Sequence, residues 1–445
     1  MPQPATVADD TRSPTTSNTV PHRWRGLALL TGTMVVDNDE SKLISTLFPM
    51  LRGALALPTS ALGVLVAVGQ LVGIVFGPFW TWLSRRVSRR TVLFVCSGVW
   101  GVWSVAAGFA QNFAQLLVLT TIGMAGFVGA QPIVSELIAD LFDDRTRGRA
   151  VGYLYGVLQL VSSVLGPVLG QLSTVEDGWR YGFFASGVLN IVMGVLILLF
   201  LKDPGIGASE PHLAALSTEE RAARSRITRA RLVEMMRIRT FVLMLGQRLL
   251  SSHLLILSFG VVFLVDVYGF SNAEAALVLL PSGIGYFLGT LVGGEVADRV
   301  QRRNPRTGRI MLLQVAQLAF GVVAYVGFQF DWGSIAVYSV FFGVLSFLQG
   351  VNPGINRPIV MSVVPPELRA AAFTVMLSIV QSIGWAIYAL GAGFLADAIG
   401  LRATFLWLLV IVMIVNGLFV SLIYRPYVRD SEAMDAELAA RSVRG

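Results

Sequence analysis

Long apolar runs cut by short charged segments dominate the hydrophobic pattern of this chain. Runs of about 20 apolar residues, enough to cross a bilayer as a helix, recur at 26–51, 61–83, 91–110, 115–140, 150–173, 181–201, 240–265, 274–297, 310–330, 334–362, 371–395 and 403–424. The period-two alternation of a membrane barrel is missing from these runs. The pattern predicts an all-α membrane protein with twelve transmembrane helices. One long polar stretch divides six spans from six. The expected organisation is a disordered N-terminal tail (1–25), a first six-helix bundle (26–201), a linker (202–239), a second six-helix bundle (240–424) and a C-terminal tail (425–445). The linker segment STEERAARSRITRARLVEMMRIR reads as an amphipathic helix on the membrane surface or as a solvated connection. The first 25 residues lack the apolar core of a signal peptide, so the N-terminus is expected to stay in place.

Composition supports the membrane reading. Charged residues are 14% of the chain against about 25% in soluble proteins, and hydrophobic residues are 54%. A soluble enzyme, a disordered chain and a disulfide scaffold are excluded. The single cysteine, Cys96, cannot form an internal disulfide and reads as a small buried thiol.

The net charge of +7 could point to nucleic acid, but its distribution points to topology. Of 34 Lys and Arg residues, 28 fall in the tails and even-numbered loops. Three (Arg52, Arg180, Arg402) fall in the opposite loops, and three (Lys42, Arg248, Arg357) lie inside spans. The positive-inside rule then places both termini in the cytoplasm of a multi-pass cell-membrane protein, with no nucleic-acid partner.

The two halves repeat each other. Gly129-Ala130-Gln131-Pro132 in the fourth span is followed by Glu136, and Gly350-Val351-Asn352-Pro353 in the tenth is followed at equal spacing by Arg357. The segment TWLSRRVSRR after the second span matches GEVADRVQRR after the eighth. A duplicated six-helix unit is one architecture of secondary transporters.

On these residues the chain resembles the major facilitator superfamily over about 25–425. The most specific element runs from Gly294 through Asp298-Arg299 to Arg302-Arg303. In the first half Thr81, Arg85 and Ser88 replace the glycine, the aspartate and the second glycine, leaving Arg89 and Arg90. The resemblance implies two pseudo-symmetric six-helix halves and a conformational latch at Gly294, Asp298, Arg299, Arg302, Arg303, Arg89 and Arg90. Gly166, Pro167 and Gly170 in the fifth span resemble the antiporter motif of exporters. The stretches GWRYGFFASG, ELIADLFDDRTRGRA and VVDNDESKLIS resemble the spinster-type branch, which handles lysophospholipids and sphingolipids.

In the resembled fold the first, fourth, seventh and tenth helices line the central cavity, and the formal charges well inside spans fall on those four. A charge at the bilayer centre costs at least about 2.5–3.5 kcal/mol, so each needs a partner, water or a function. Asp37 and Glu40 share a helix face with Ser41 and Ile44. With Arg248 they form the expected proton-coupling set, the carboxylate pairing with Arg248 when deprotonated. Asp39 and Lys42 share another face and could neutralise each other. Asp39, Lys42, Gln131, Glu136, Asn352, Asn356 and Arg357 are the expected cavity residues, with Glu136 and Arg357 placed to gate it.

The function expected is proton-coupled secondary transport, by alternating access, of an amphipathic or lipid-like substrate, through lysophospholipid-type movement or efflux. Efflux of drugs or organic anions is the alternative within that class. A non-transporting membrane sensor or scaffold is the alternative outside it. A membrane enzyme lacks support: His253 is the one histidine in a span, and neither H-E-x-x-H nor G-x-S-x-G occurs. The expected partners are the small substrate, protons and membrane lipids, with no metal or cofactor, for a monomer.

Overall fold

A computed structural model describes residues 22–84, 86–142, 144–205 and 229–444. Residues 1–21 of the expected N-terminal tail, Arg85 and most of the expected amphipathic linker lie outside the described residues, whereas residues 23–25, expected in the tail, belong to the first helix. Among those described, every regular element is helical.

The first half comprises α1 (Arg23–Leu55), α2 (Thr59–Ser84), α3 (Arg89–Ala107), α4 (Phe113–Leu141), α5 (Asp144–Gly170) and α6 (Gly178–Phe200). The second comprises α7 (Arg239–Tyr268), α8 (Asn272–Arg303), α9 (Gly308–Gln329), α10 (Ile335–Val363), α11 (Ala371–Ile399) and α12 (Leu401–Ala440). All but α1 carry an apolar stretch long enough to cross a membrane by length and composition. α1 has the length but also the charge cluster from Asp37 to Lys42. A short helix, Arg229–Arg237, precedes α7.

Local chemistry sets the helix ends. The Asn112 side chain accepts from Gln115 N (3.0 Å) at the start of α4. Ser271 and Glu274 form a reciprocal capping box at the start of α8. Gly269, with φ +71°, ends α7 in the left-handed region that a side chain would disfavour. Large apolar side chains such as Val75, Phe109, Leu160, Leu199 and Phe394 remain exposed. On a soluble protein this would be an aggregation hazard, but on membrane helices it is the lipid-facing surface.

With twelve helices running to and fro, the start of α1 and the end of α12 fall on one side of the array, called here the basic face. On the opposite side, called outer only as a label, one continuous apolar core joins the halves. It includes Leu47, Phe48, Leu62 and Phe183 from the first half with Phe259, Phe263, Ala389 and Phe405 from the second. On the basic face the core splits in two. One cluster, around Leu30, Ile133 and Leu137, belongs to the first half, and the other, around Phe241, Ile355 and Val360, to the second.

Contacts between the halves follow this division. α2 runs against α11, where a Cβ on Gly393 would sit 2.8 Å from Ser60 Cα and one on Gly63 would strike the Ala389 carbonyl. α5 meets α8, where a Cβ on Gly170 would sit 2.7 Å from that of Ala276. Arg52, in the last turn of α1, is ion-paired with Asp266 near the end of α7. Asp397 of α11 accepts from Thr59 N (2.8 Å) and Ser60 N (3.0 Å) at the start of α2. A carboxylate there meets unsatisfied backbone donors and the positive end of the helix dipole. The molecule is closed on its outer side, and its halves are separately packed on the basic face.

Candidate functional site

The acidic stretch of α1 is helical throughout. Asp37 is buried, and its Oδ1 accepts from Ser97 Oγ of α3 at 2.6 Å. Ser97 lies in a π-helical segment of α3, Phe94–Val99. Such widened turns carry an extra residue and are frequent at functional positions. The side chains of Asp39, Glu40 and Ser41 lie outside the described residues, and Lys42 is half-buried.

α7 departs from the continuous helix that its hydropathy predicts. It runs from Arg239 to Leu249, breaks, makes a 3-10 turn over Ser252–Leu254, and resumes at Leu255. Arg248 lies in the last turn of the first segment. Among the described residues it has no carboxylate partner: it donates to Gln381 Oε1 of α11 at 2.5 Å, and its Nε is unpartnered. Gln381 directly follows a π-helical segment, Thr374–Val380. The expected pairing of Asp37 with Arg248 is therefore absent from this conformation, because each group is held within its own half.

A buried polar chain compensates the break. Ser251 Oγ accepts from Gln247 Nε2 and from Asn416 Nδ2 of α12, both at 3.2 Å. Gln317 Nε2 of α9 donates to Asn352 Oδ1 of α10 at 2.7 Å, and Gln349 Nε2 donates to the His253 carbonyl at 3.1 Å. Freed backbone groups in a membrane helix must find such partners. Asn352, an expected cavity residue, is thus occupied between helices. His253 is buried beside Phe320. Asn356 is buried with its Oδ1 unpartnered.

Glu136 is half-buried on α4, Arg357 is exposed on α10, and no ion pair joins them. Gln131 is exposed and borders a cleft of about 140 Å³ between α1, α4 and α5.

The latch residues take separate roles. Asp298 lies 3.3 Å from Arg309 at the start of α9, and Arg299 is 2.5 Å from Glu295 one turn back. Arg302 and Arg303 are exposed, and a Cβ on Gly294 would meet open space. In the first half Arg89 is buried, pairing with Asp140 of α4 and, at 2.5 Å, with Asp203 beyond α6. Arg90 is half-buried. Asp140 and Asp203 were not singled out in the sequence; their nearness to the basic loops was the available signal. Removing Arg89 strands two carboxylates. Arg89→Ala is expected to lower unfolding stability by about 3 kcal/mol, and Arg90→Ala by far less, read by thermal melting of the solubilised protein. Equal losses would refute the assignment. In the antiporter-like segment Gly170 touches α8, whereas a Cβ on Gly166 would meet open space.

Known proteins resemble this chain in sequence or in fold. The chain is 27% identical over 82% of its own length, and 82% of the relative's, to a probable 4-methylmuconolactone transporter of Cupriavidus pinatubonensis. A probable sulfoacetate transporter of Cupriavidus necator is 26% identical over 64% of this chain and 65% of its own. A bacterial homologue of the human lysosomal transporter Spinster, solved inward-facing and unoccupied, superposes with a TM-score of 0.75 over 93% of this chain and 98% of that one. At 19% identity that likeness bears on fold alone. The profile of the Major Facilitator Superfamily matches residues 29–389, from α1 into α11 and so across both halves. With twelve helices in two six-helix halves and charges on the first, fourth, seventh and tenth, the chain belongs to the Major Facilitator Superfamily of secondary transporters.

Proposed function

We propose that this transporter carries small amphipathic organic anions, coupled to protons, by rocking of its two halves. One observation carries the reading: Arg248, deep in α7, is held by an amide and keeps an unpartnered Nε. A guanidinium is always charged and presents a planar fork of donors. Inside a membrane it calls for an anion, and among the described residues none is supplied. The relatives named for 4-methylmuconolactone and sulfoacetate, both small organic molecules and the second an anion, support this choice within the family. Asp37, with Glu40 beside it on the same helix, is the proton carrier in this reading.

The basic face is cytoplasmic in this reading, since that side carries most of the Lys and Arg residues. The conformer described is then inward-facing. Native Cys96 is buried and should not react with thiol reagents. A cysteine at Asn112 or Gly333 is expected to react with an impermeant reagent from outside intact cells, and one at Arg306 is not. The reverse pattern overturns the orientation.

Proteoliposome flux tests the function. An imposed pH gradient is expected to drive saturable movement of benzoate or sulfoacetate. Movement of cationic dyes with indifference to every anion would overturn the proposal.

A further inference from the structure

The cleft between α1, α4 and α5 lies in the half opposite Arg248. Its wall includes Met34, Val134, Val151 and Leu154, with Gln131 and Tyr155 as the polar groups facing it. Ser135 also borders it, but its hydroxyl donates to the Gln131 carbonyl at 2.8 Å. None of the described residues lining the cleft is charged, and most of that lining is apolar. It fits the other end of an amphipathic anion.

Its size narrows the occupant. A dry cavity of about 150 Å³ takes up benzene, whereas sites for drug-sized ligands span roughly 300–1,000 Å³. The cleft measures about 140 Å³. We propose that it is the subsite for the apolar part of the cargo and that it selects a single ring, or a chain of similar bulk, over a polycyclic body or a long acyl chain. This rests on the organic-anion reading above.

The test is a ligand series on the full-length protein in lipid nanodiscs: acetate, benzoate, 2-naphthoate and 1-pyrenecarboxylate, with a lysophospholipid as competitor. Benzoate is expected to bind at least tenfold tighter than acetate, and pyrenecarboxylate no tighter than benzoate. Val151→Phe narrows the cleft from an exposed position and should cut the benzoate-to-acetate affinity ratio at least tenfold. Leu154→Ala widens it and should move the optimum to 2-naphthoate. Affinity rising through pyrenecarboxylate, a lysophospholipid outcompeting benzoate, or an unchanged ratio in both variants overturns the subsite. If carboxylates bind through Arg248 while both variants keep the ratio, the subsite alone fails. If no carboxylate binds and Arg248→Ala changes nothing, the organic-anion reading falls with it.

Discussion

Arg248→Ala is expected to lower organic-anion flux about a hundredfold. A charge-assisted hydrogen bond contributes about 1.5–3 kcal/mol, and a factor of ten in equilibrium is about 1.4 kcal/mol. Losing a fork of two such bonds in a low-dielectric cavity accounts for a factor of that size. Arg248→Lys keeps the charge but not the planar fork, so about a tenfold loss is expected. Gln381→Ala removes the group that aims the guanidinium, and should act mainly on KM. The measurement is initial-rate uptake in proteoliposomes at matched protein density, with thermal melting to confirm folding. Wild-type flux in Arg248→Ala would remove the anion from α7.

Asp37→Asn is expected to abolish accumulation against a pH gradient while cargo exchange at equal pH persists. A buried carboxylate is costly unless it is paired or protonated. The asparagine matches the aspartate in shape and can still accept from Ser97 Oγ through its amide oxygen, but it cannot take up a proton. Loss of coupling with retained exchange would therefore report proton chemistry, whereas loss of both would report damage. Glu40→Gln is expected to have the smaller effect. Full accumulation in both variants would move the proton site, with Glu136 next to be tested.

Much of this fold was legible because the bilayer imposes it. Without water to satisfy backbone groups, apolar stretches of fixed minimum length must be helices, and the twelve spans follow. The pattern ends α12 near 424, where the chain turns polar, yet the helix continues to Ala440. Tyr427 and Met434 are buried along that extension, and Asp430 accepts from Thr240 N at the start of α7 (2.8 Å). Such tertiary burial outweighs local polarity.

The break in α7 was not legible. No proline or glycine marks residues 249–254, and the groups that compensate it come from α9, α10 and α12, distant in sequence. For the same reason the polar partners differed from those expected. Depth and helix face put Asp37 opposite Arg248, but neither reveals that widened turns in α3 and α11 bring Ser97 and Gln381 to them. The surviving arginines of the decayed motif were visible. Their division into a buried anchor, Arg89, and a half-buried neighbour, Arg90, depended on the positions of Asp140 and Asp203.

The shared core on the outer side has a calorimetric consequence. Each half keeps its own apolar cluster on the basic face, so opening that side leaves both clusters intact. Opening the outer side must divide one cluster and bring Phe48, Phe259 and their neighbours to water. Hydrating apolar surface raises heat capacity. The outer opening step therefore carries a positive heat-capacity change, and its free energy follows a curve in temperature instead of a straight line. Transport rates limited by that step should bend on an Arrhenius plot, whereas those limited by opening the basic face should stay close to linear.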